Sequence, residues 1–229
     1  MNIHIFQVGG SIRDELLGVK SKDIDFAVEA PSFDAMRQEI VNRGGKIFLE
    51  TPKFLTIRAN VPDIGSADFV LCRKDRAYSD GRRPDEVTVG DIFDDLARRD
   101  FTMNAIARNV RTKAIIDPHM GVEDIEQRII RCVGNPLQRF TEDKLRVFRA
   151  LRFSVTKDFS VEPETVAAMR VITTRNSNFD AVSTERIREE LLKMFAHDWL
   201  ESFLALREFD LLDLIEARGI WFKPTIEKA

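Results

Sequence analysis

Asp23 and Asp25 stand two residues apart in Asp23-Ile24-Asp25-Phe26-Ala27-Val28. The alternation reads as a strand, which turns both carboxylates to one face. Two hard anionic groups so placed suit Mg²⁺, which prefers oxygen ligands. A pair of such ions ~3.5–4 Å apart activates an attacking hydroxyl and stabilises a leaving pyrophosphate. Alone, an Asp-x-Asp is more often two solvent-facing acids; what precedes it adds weight. Gly9-Gly10-Ser11-Ile12-Arg13-Asp14 follows the apolar run Ile3–Val8. A glycine pair after a strand lets backbone approach a ligand closely. The helix start behind it offers N–H groups to an anion, and Arg13 adds a permanent charge. Anion cradle and metal-binding acids in one strand–turn–helix–strand unit describe a nucleoside triphosphate site. The competing reading, a tight turn with a surface arginine, is about equally consistent with these residues. Gly-Lys-Ser/Thr is missing, so this is not the P-loop pattern. Asp68, within Ala67–Cys72, either completes a carboxylate trio or is an edge-strand acid.

Two further clusters carry charge. In Arg98-Arg99-Asp100-Phe101-Thr102-Met103-Asn104-Ala105, the arginines form either a structural ion pair with an acid or a contact to phosphate and ribose hydroxyls. Glu142-Asp143-Lys144-Leu145-Arg146 is followed by Arg149 and Arg152. On one helix Asp143 and Arg146 are i,i+3 neighbours, an ordinary surface salt bridge worth ~0.2–0.5 kcal/mol. The same pair also sets an acceptor beside a donor. That order matches the pairing edges of cytosine and adenine and opposes those of guanine and uracil. From Arg128 to Lys157 there are eight Lys/Arg and two acidic residues, a basic stripe that is either a solvated helix face or a phosphate-facing surface.

These residues need elements to hold them. Ile3–Val8 and Asp23–Val28 read as strands, with a helix over Ser11–Leu17 closing at Gly18. Ser32 caps a helix over Phe33–Arg43 that ends at Gly44-Gly45. Phe54–Asn60 and Ala67–Cys72 are further strands, Ile92–Arg99 a helix, and Ile115-Ile116 and Ile129–Val133 short strands. Arg73–Gly90 is polar and aperiodic and reads as a long mobile loop. From Phe140 to Arg218 the spacing is helical: Leu145, Phe148 and Leu151, then Ile187, Leu191 and Met194, with Ser183 or Thr184 at a helix start. Trp199, Phe203, Leu206 and Phe209 read as helix core. The fold class is therefore α+β, with a mixed-sheet domain over residues 1–138 and a helical one over 139–229. His197-Asp198 matches a metal phosphohydrolase dipeptide, but no other histidine pattern supports that chemistry.

The 229 residues are 44% apolar and 32% charged, enough for a core and too polar for a membrane protein. No run approaches the ~20 apolar residues of a spanning helix. Cys72 and Cys132 form no CxxC or Cys/His spacing, which argues against zinc and a disulfide framework and for the cytoplasm. The net charge of −3 leaves nucleic-acid contact to local patches.

In order, these motifs resemble the class II tRNA nucleotidyltransferase and bacterial poly(A) polymerase family of the polymerase β-like nucleotidyltransferase superfamily. Val8–Asp14 with Asp23-Ile24-Asp25 resembles its catalytic motif, and Arg98–Ala105 its ribose-contacting motif. Asp117-Pro118 through Gly121 and Asp124 resembles its head-to-neck motif. Glu142–Arg146 with Arg149–Phe153 resembles its protein template for the incoming base, and Ser183–Ile187 its next neck helix. The resemblance spans residues 4 to 195. It implies a nucleotidyltransferase head and helical neck, with Asp23 and Asp25 holding Mg²⁺ and Asp68 as third carboxylate. It implies Gly10 and Arg13 on the triphosphate, Arg99 near sugar and phosphates supported by Asp100, Asp143 and Arg146 reading the base, and Arg149 and Arg152 holding the nucleotide. The mobile loop of the family would be Arg73–Gly90.

The implied activity is Mg²⁺-dependent, template-independent addition of CMP or AMP from CTP or ATP to a tRNA 3′ end. Alternatives are poly(A) addition to other RNA, or an inactive nucleotide- or RNA-binding module. Two departures stand out. His119-Met120-Gly121 replaces a more usual glycine pair, and the chain ends at Ala229, where full-length members continue into a helical body and tail that grip RNA.

Overall fold

The computed structural model describes residues 3–21, 24–76, 86–174 and 178–220. They form two compact units, one up to Gly134 and one from Asn135 onward.

The first unit is built on strands β1 (His4–Val8), β2 (Asp25–Glu29), β3 (Lys46–Thr51), β4 (Thr56–Val61) and β5 (Gly65–Leu71). Two more, β6 (Arg73–Arg76) and β7 (Glu86–Val89), make a separate ribbon, while β8 (Ala107–Asn109) and β9 (Ile115–Ile116) extend the main sheet. Its order is β3-β4-β5-β2-β1-β8-β9, antiparallel except for the parallel pair β2/β5. Helices α1 (Gly10–Leu16), α2 (Phe33–Asn42), α3 (Ile92–Ala97) and α4 (Gly121–Glu126) surround it. Phe26, Ala27 and Val28 are consecutive and all buried, the mark of a strand covered on both faces. Phe26 and Val28 pack with Met36 and Ile40 of α2 and with Ile57 and Phe69. Ala27 packs on the other side with Phe6, Ile92 and Leu96. Ser32 caps α2 as expected, accepting from Ala35 N at 3.1 Å.

Three elements depart from the sequence reading. Arg73–Gly90 is not wholly loop: Arg73 pairs with Val89 and Lys74 with Thr88 in the β6/β7 ribbon, while residues 77–85 lie outside the described set. A two-stranded ribbon buries little apolar surface, and Val87 and Val89 are exposed, so no alternation marks it. β3 was not foreseen because it is an edge strand whose residues are mostly exposed. Helix α4 is short; its first residue, Gly121, sits where an added Cβ would lie 2.2 Å from Thr102 O. Just before it, Met120 holds φ +59°, a left-handed conformation costing a non-glycine residue about 1 kcal/mol. That accounts physically for a glycine preference at this position.

The second unit is helical: α5 (Pro136–Glu142), α6 (Leu145–Lys157), α7 (Pro163–Ile172), α8 (Thr184–Phe195), α9 (Trp199–Glu208) and α10 (Leu212–Ala217). Leu145, Phe148 and Leu151 of α6 and Ile187, Leu191 and Met194 of α8 are buried, the faces their 3.6-residue spacing assigned. Ser183 is the N-cap residue of α8 but makes no side-chain cap bond. Trp199 and Phe203 are not core: they are 67% and 40% exposed, whereas Leu206 and Phe209 are buried. The buried stripe runs through Ser202, Leu206 and Phe209; Trp199 opens the helix and Phe203 sits about a quarter turn aside. Asp198 caps α9, accepting from Glu201 N at 2.9 Å, an ordinary structural role for the His-Asp dipeptide. No helix among the described residues is long and apolar enough to cross a membrane, and both cysteines are free and buried.

Candidate active site

Asp25 opens β2 and Asp68 lies in β5; the two are directly opposite in the parallel register. In-register residues of neighbouring strands share a face, with the strands ~4.8 Å apart. The next β2 positions, Phe26 to Val28, are packed away, so the two acids mark the open end of that face. They line a cleft of about 680 Å³ with Ile24, Phe48, Arg58, Ser66 and Ala67. Asp23, the other expected metal ligand, lies outside the described residues.

Arg58 pairs across the strands with Asp68 and clasps both its oxygens, Nε–Oδ1 and Nη2–Oδ2 each 2.7 Å. Hydrogen bonding from Arg58 holds the Asp68 carboxyl below its ordinary pKa, against a smaller opposing effect of burial. The guanidinium fixes both Asp68 oxygens, and each retains a further lone pair. Asp25 and Asp68 therefore supply the hard oxygen donors that Mg²⁺ requires.

The Gly9–Asp14 and Arg98–Ala105 segments, far apart in sequence, are joined by a buried polar chain. Arg13 Nη1 donates to Asn104 Oδ1 at 2.6 Å, and Asn104 Nδ2 donates to Asp100 Oδ1 at 3.0 Å. Arg13 also donates through Nε and Nη2 to Asp14 Oδ1, at 3.0 and 2.8 Å. Arg13 is therefore a buried strut, not the surface arginine of the simpler sequence reading. Asp100 additionally accepts from Phe101 N at 2.8 Å, fixing the turn it begins.

Arg99, just past the end of α3, reaches the same place, donating to Asn104 O at 3.3 Å and to Asp95 Oδ2 at 2.9 Å. Asp95 also takes Arg98, at 2.6 Å, and is itself buried. Burial pushes the Asp95 carboxyl up, but attraction from Arg98 and Arg99 outweighs it and holds the group below its ordinary range. Gly9 completes the arrangement. Its φ of +71° suits only glycine, and a Cβ there would come within 2.8 Å of Arg99 Nη1. Gly10 follows at the start of α1, where a Cβ would meet Arg13 Nη2 at 3.3 Å.

The head-to-neck motif docks on this assembly. Thr102 Oγ1 donates to Asp124 Oδ2 at 2.6 Å, and Asp117 accepts from Gly121 N and Val122 N at 2.7 and 2.8 Å. Asp95 and Asn104 are the residues the sequence reading left without a role. Asp95 was legible, since it stands i,i+3 and i,i+4 from the two arginines; Asn104, whose partner is 91 residues away, was not.

In the second unit the expected Asp143–Arg146 helix pair does not form. Asp143 ends α5 in extended backbone, φ −151°, so the two residues do not share a helix. Asp143 instead accepts from Leu145 N at 3.1 Å and takes the Arg186 guanidinium on both oxygens, at 3.3 and 2.7 Å. Arg146 donates to Glu142 Oε2 at 2.9 Å and to Arg139 O at 2.7 Å. Arg149 and Arg152 converge on the buried Glu190 of α8, Arg149 at 3.6 Å and Arg152 through Nε–Oε2. The Arg152 guanidinium also lies 3.8 Å over the Phe153 ring. Arg186 and Glu190 went unassigned because their partners lie on another helix.

Residues 5–131 match the family model "Poly A polymerase head domain", and residues 158–216 match "Probable RNA and SrmB- binding site of polymerase A". The CCA-adding enzyme of Enterococcus faecalis is 39% identical over 82% of this chain and 44% of its own. That of Anoxybacillus flavithermus is 39% identical over 87% of this chain and 48% of its own. Among solved structures, the Bacillus stearothermophilus CCA-adding enzyme in complex with CTP aligns with a TM-score of 0.74 at 30% identity, covering 90% of this chain and 48% of that one. The Thermotoga maritima CCA-adding enzyme complexed with tRNA aligns with a TM-score of 0.75 at 26% identity, covering 97% and 50%. The chain spans about half the length of the curated relatives it matches. With the head model matched over more than half its length, and relatives this similar over most of it, the chain belongs to the poly A polymerase head-domain family.

Proposed function

We propose that the chain carries the catalytic and base-reading residues of a template-independent RNA nucleotidyltransferase. It would transfer CMP or AMP from CTP or ATP to the 3′ hydroxyl of a tRNA, as the names of its relatives suggest. The observation carrying this reading is the register of Asp25 against Asp68 at the mouth of an open cleft. These two, with Asp23, are the residues that would hold Mg²⁺. The ion, when bound, lowers the pKa of the attacking hydroxyl and offsets charge on the departing pyrophosphate.

The rest is positioning by the chain itself. Arg58 holds Asp68 in a fixed orientation. The Arg13–Asn104–Asp100 chain holds Gly9 and Gly10 against the Arg99 segment, so that backbone and guanidinium meet the triphosphate and sugar without reorganising. In the second unit, Arg186 orients the Asp143 carboxylate as acceptor and Glu142 orients the Arg146 guanidinium as donor. Each is held by its own partner instead of by the other, and acceptor and donor together complement the donor–acceptor order of a cytosine or adenine edge. Arg149 and Arg152, gathered on Glu190, add positive charge for the nucleotide's phosphates.

The test is incubation of the chain with tRNA lacking its 3′ CCA, Mg²⁺ and one labelled nucleotide at a time. Incorporation of CMP and AMP, none of GMP or UMP, and complete loss on chelation are expected. Absence of incorporation from every nucleotide would overturn the assignment; long AMP tracts on unstructured RNA would redirect it to poly(A) addition.

A further inference from the structure

Beside the two carboxylates the sheet carries an aromatic residue that the chemistry above does not use. β3 and β4 pair in antiparallel register, with Ile47 opposite Ala59 and Leu49 opposite Arg58. Phe48 is the extra residue between them, a β-bulge. Bulges re-aim side chains and cluster beside active sites. Here the bulge leaves a phenylalanine 54% exposed, in the same cleft as Arg58, Asp68 and Asp25. An unpaired aromatic on an edge strand invites aggregation unless it has a use.

Resting on the nucleotidyltransferase reading, we infer that Phe48 is the platform on which the terminal base of the accepting RNA strand stacks. The surroundings of the ring select that occupant. The cleft is lined by Arg58, Ser66, Asp68 and Asp25, with Phe48 as its aromatic ring. An apolar protein segment laid there would bury charged groups at a cost. A nucleotide places a π-face on the ring while its sugar and phosphate stay among polar groups. The distance also fits. Two strand spacings, ~10 Å, separate the β3 backbone from that of β5, and side chains leaning into the cleft shorten this to the reach of one nucleotide. A base on Phe48 therefore directs its 3′ hydroxyl toward Asp68, with Asp25 one strand beyond. Stacking reads no hydrogen-bond pattern, so the platform accepts any terminal base, as an enzyme that extends successive ends requires.

The experiment measures binding apart from catalysis. Fluorescence anisotropy of a labelled short single-stranded RNA ending in CC is recorded without nucleotide or metal, for wild type, Phe48→Ala, Phe48→Tyr and Leu49→Ala. Leu49 is the control, an equally exposed neighbour on β3 that is absent from the cleft lining. Phe48→Ala is expected to weaken RNA binding about tenfold, the size of one lost base–aromatic stack. Phe48→Tyr and Leu49→Ala should bind within about twofold of wild type, and CTP binding by equilibrium dialysis should be the same in all four. Unchanged RNA affinity in Phe48→Ala overturns the platform, as does a wild type that binds no RNA. An equal loss in Leu49→Ala, or a loss only of self-association in sedimentation, assigns the patch to general apolar contact and also overturns it. A wild type that transfers nucleotide while Phe48→Ala binds RNA normally leaves the transfer reading standing without the platform. An inactive wild type whose RNA affinity still depends on Phe48 keeps the platform and removes the transfer.

Discussion

The two units hold their functional side chains by different means. In the first, the candidate catalytic acids are placed by backbone register: Asp25 and Asp68 face one another because β2 and β5 are parallel and paired. Around them, Asp95 with Arg98 and Arg99 and the Arg13–Asn104–Asp100 chain form a largely buried network of side chains. In the second unit the candidate residues stand on helices and a helix junction. Each candidate nucleotide-binding residue is held by another side chain, Asp143 by Arg186, Arg146 by Glu142, Arg149 and Arg152 by Glu190. The register-placed acid Asp25 is therefore separable from the buried network that stabilises the first unit, whereas in the second the candidate residues belong to such a network. Substitutions should show that difference.

The largest effect belongs to Asp25. Asp25→Ala removes a hard ligand from an exposed position, so transfer should fall about 10³-fold or more while the melting temperature falls less than in a variant of the buried Asp95. Single-turnover incorporation and a thermal melt check it. A large drop in melting temperature would break the separation drawn here. Asp95→Asn should do the reverse in kind. Removing one member of a buried charge cluster costs about 3–5 kcal/mol, to be seen in the urea midpoint at pH 7. The pH dependence follows from the sign of the shift. Asp95 is held below its unfolded-state pKa, so its stabilisation is present above roughly pH 4 and is lost as pH falls through the lower folded value. The acid limb of the wild-type stability curve should flatten in Asp95→Asn.

What the sequence made legible follows the same division. Helix α6 declared itself because one-sided burial imposes a 3.6-residue stripe, while β2 was read from alternation although Phe26, Ala27 and Val28 are all buried. The edge strand β3 and the ribbon β6/β7 did not, because exposed faces impose none. The carboxylates were found from spacing and chemistry. Their strongest geometric argument, Asp25 against Asp68, joins residues of separate strands and had no local signal. In the second unit the expected pairing of Asp143 with Arg146 was wrong. The i,i+3 rule presumes a continuous helix, and the chain breaks at Asp143, whose backbone is extended. The arginine that takes Asp143 comes from 43 residues downstream.

That misread pair supplies the finest test of the comparison. Asp143 accepts both nitrogens of Arg186, a fork that fixes the plane of the carboxylate as well as its position. Arg186→Ala leaves the acceptor in place but frees it to rotate. A charge-assisted hydrogen bond is worth about 1.5–3 kcal/mol, so the preference for CTP and ATP over GTP and UTP, read as a ratio of kcat/KM, should shrink about tenfold. Because the pair also links the start of α8 to the α5–α6 junction, stability should drop together with selectivity, in contrast to Asp25→Ala. Arg186→Lys restores the charge without the fork and should recover stability more fully than base choice. Selectivity unchanged in Arg186→Ala would mean that the α5–α6 backbone alone orients Asp143, and the second unit would then work as the first one does.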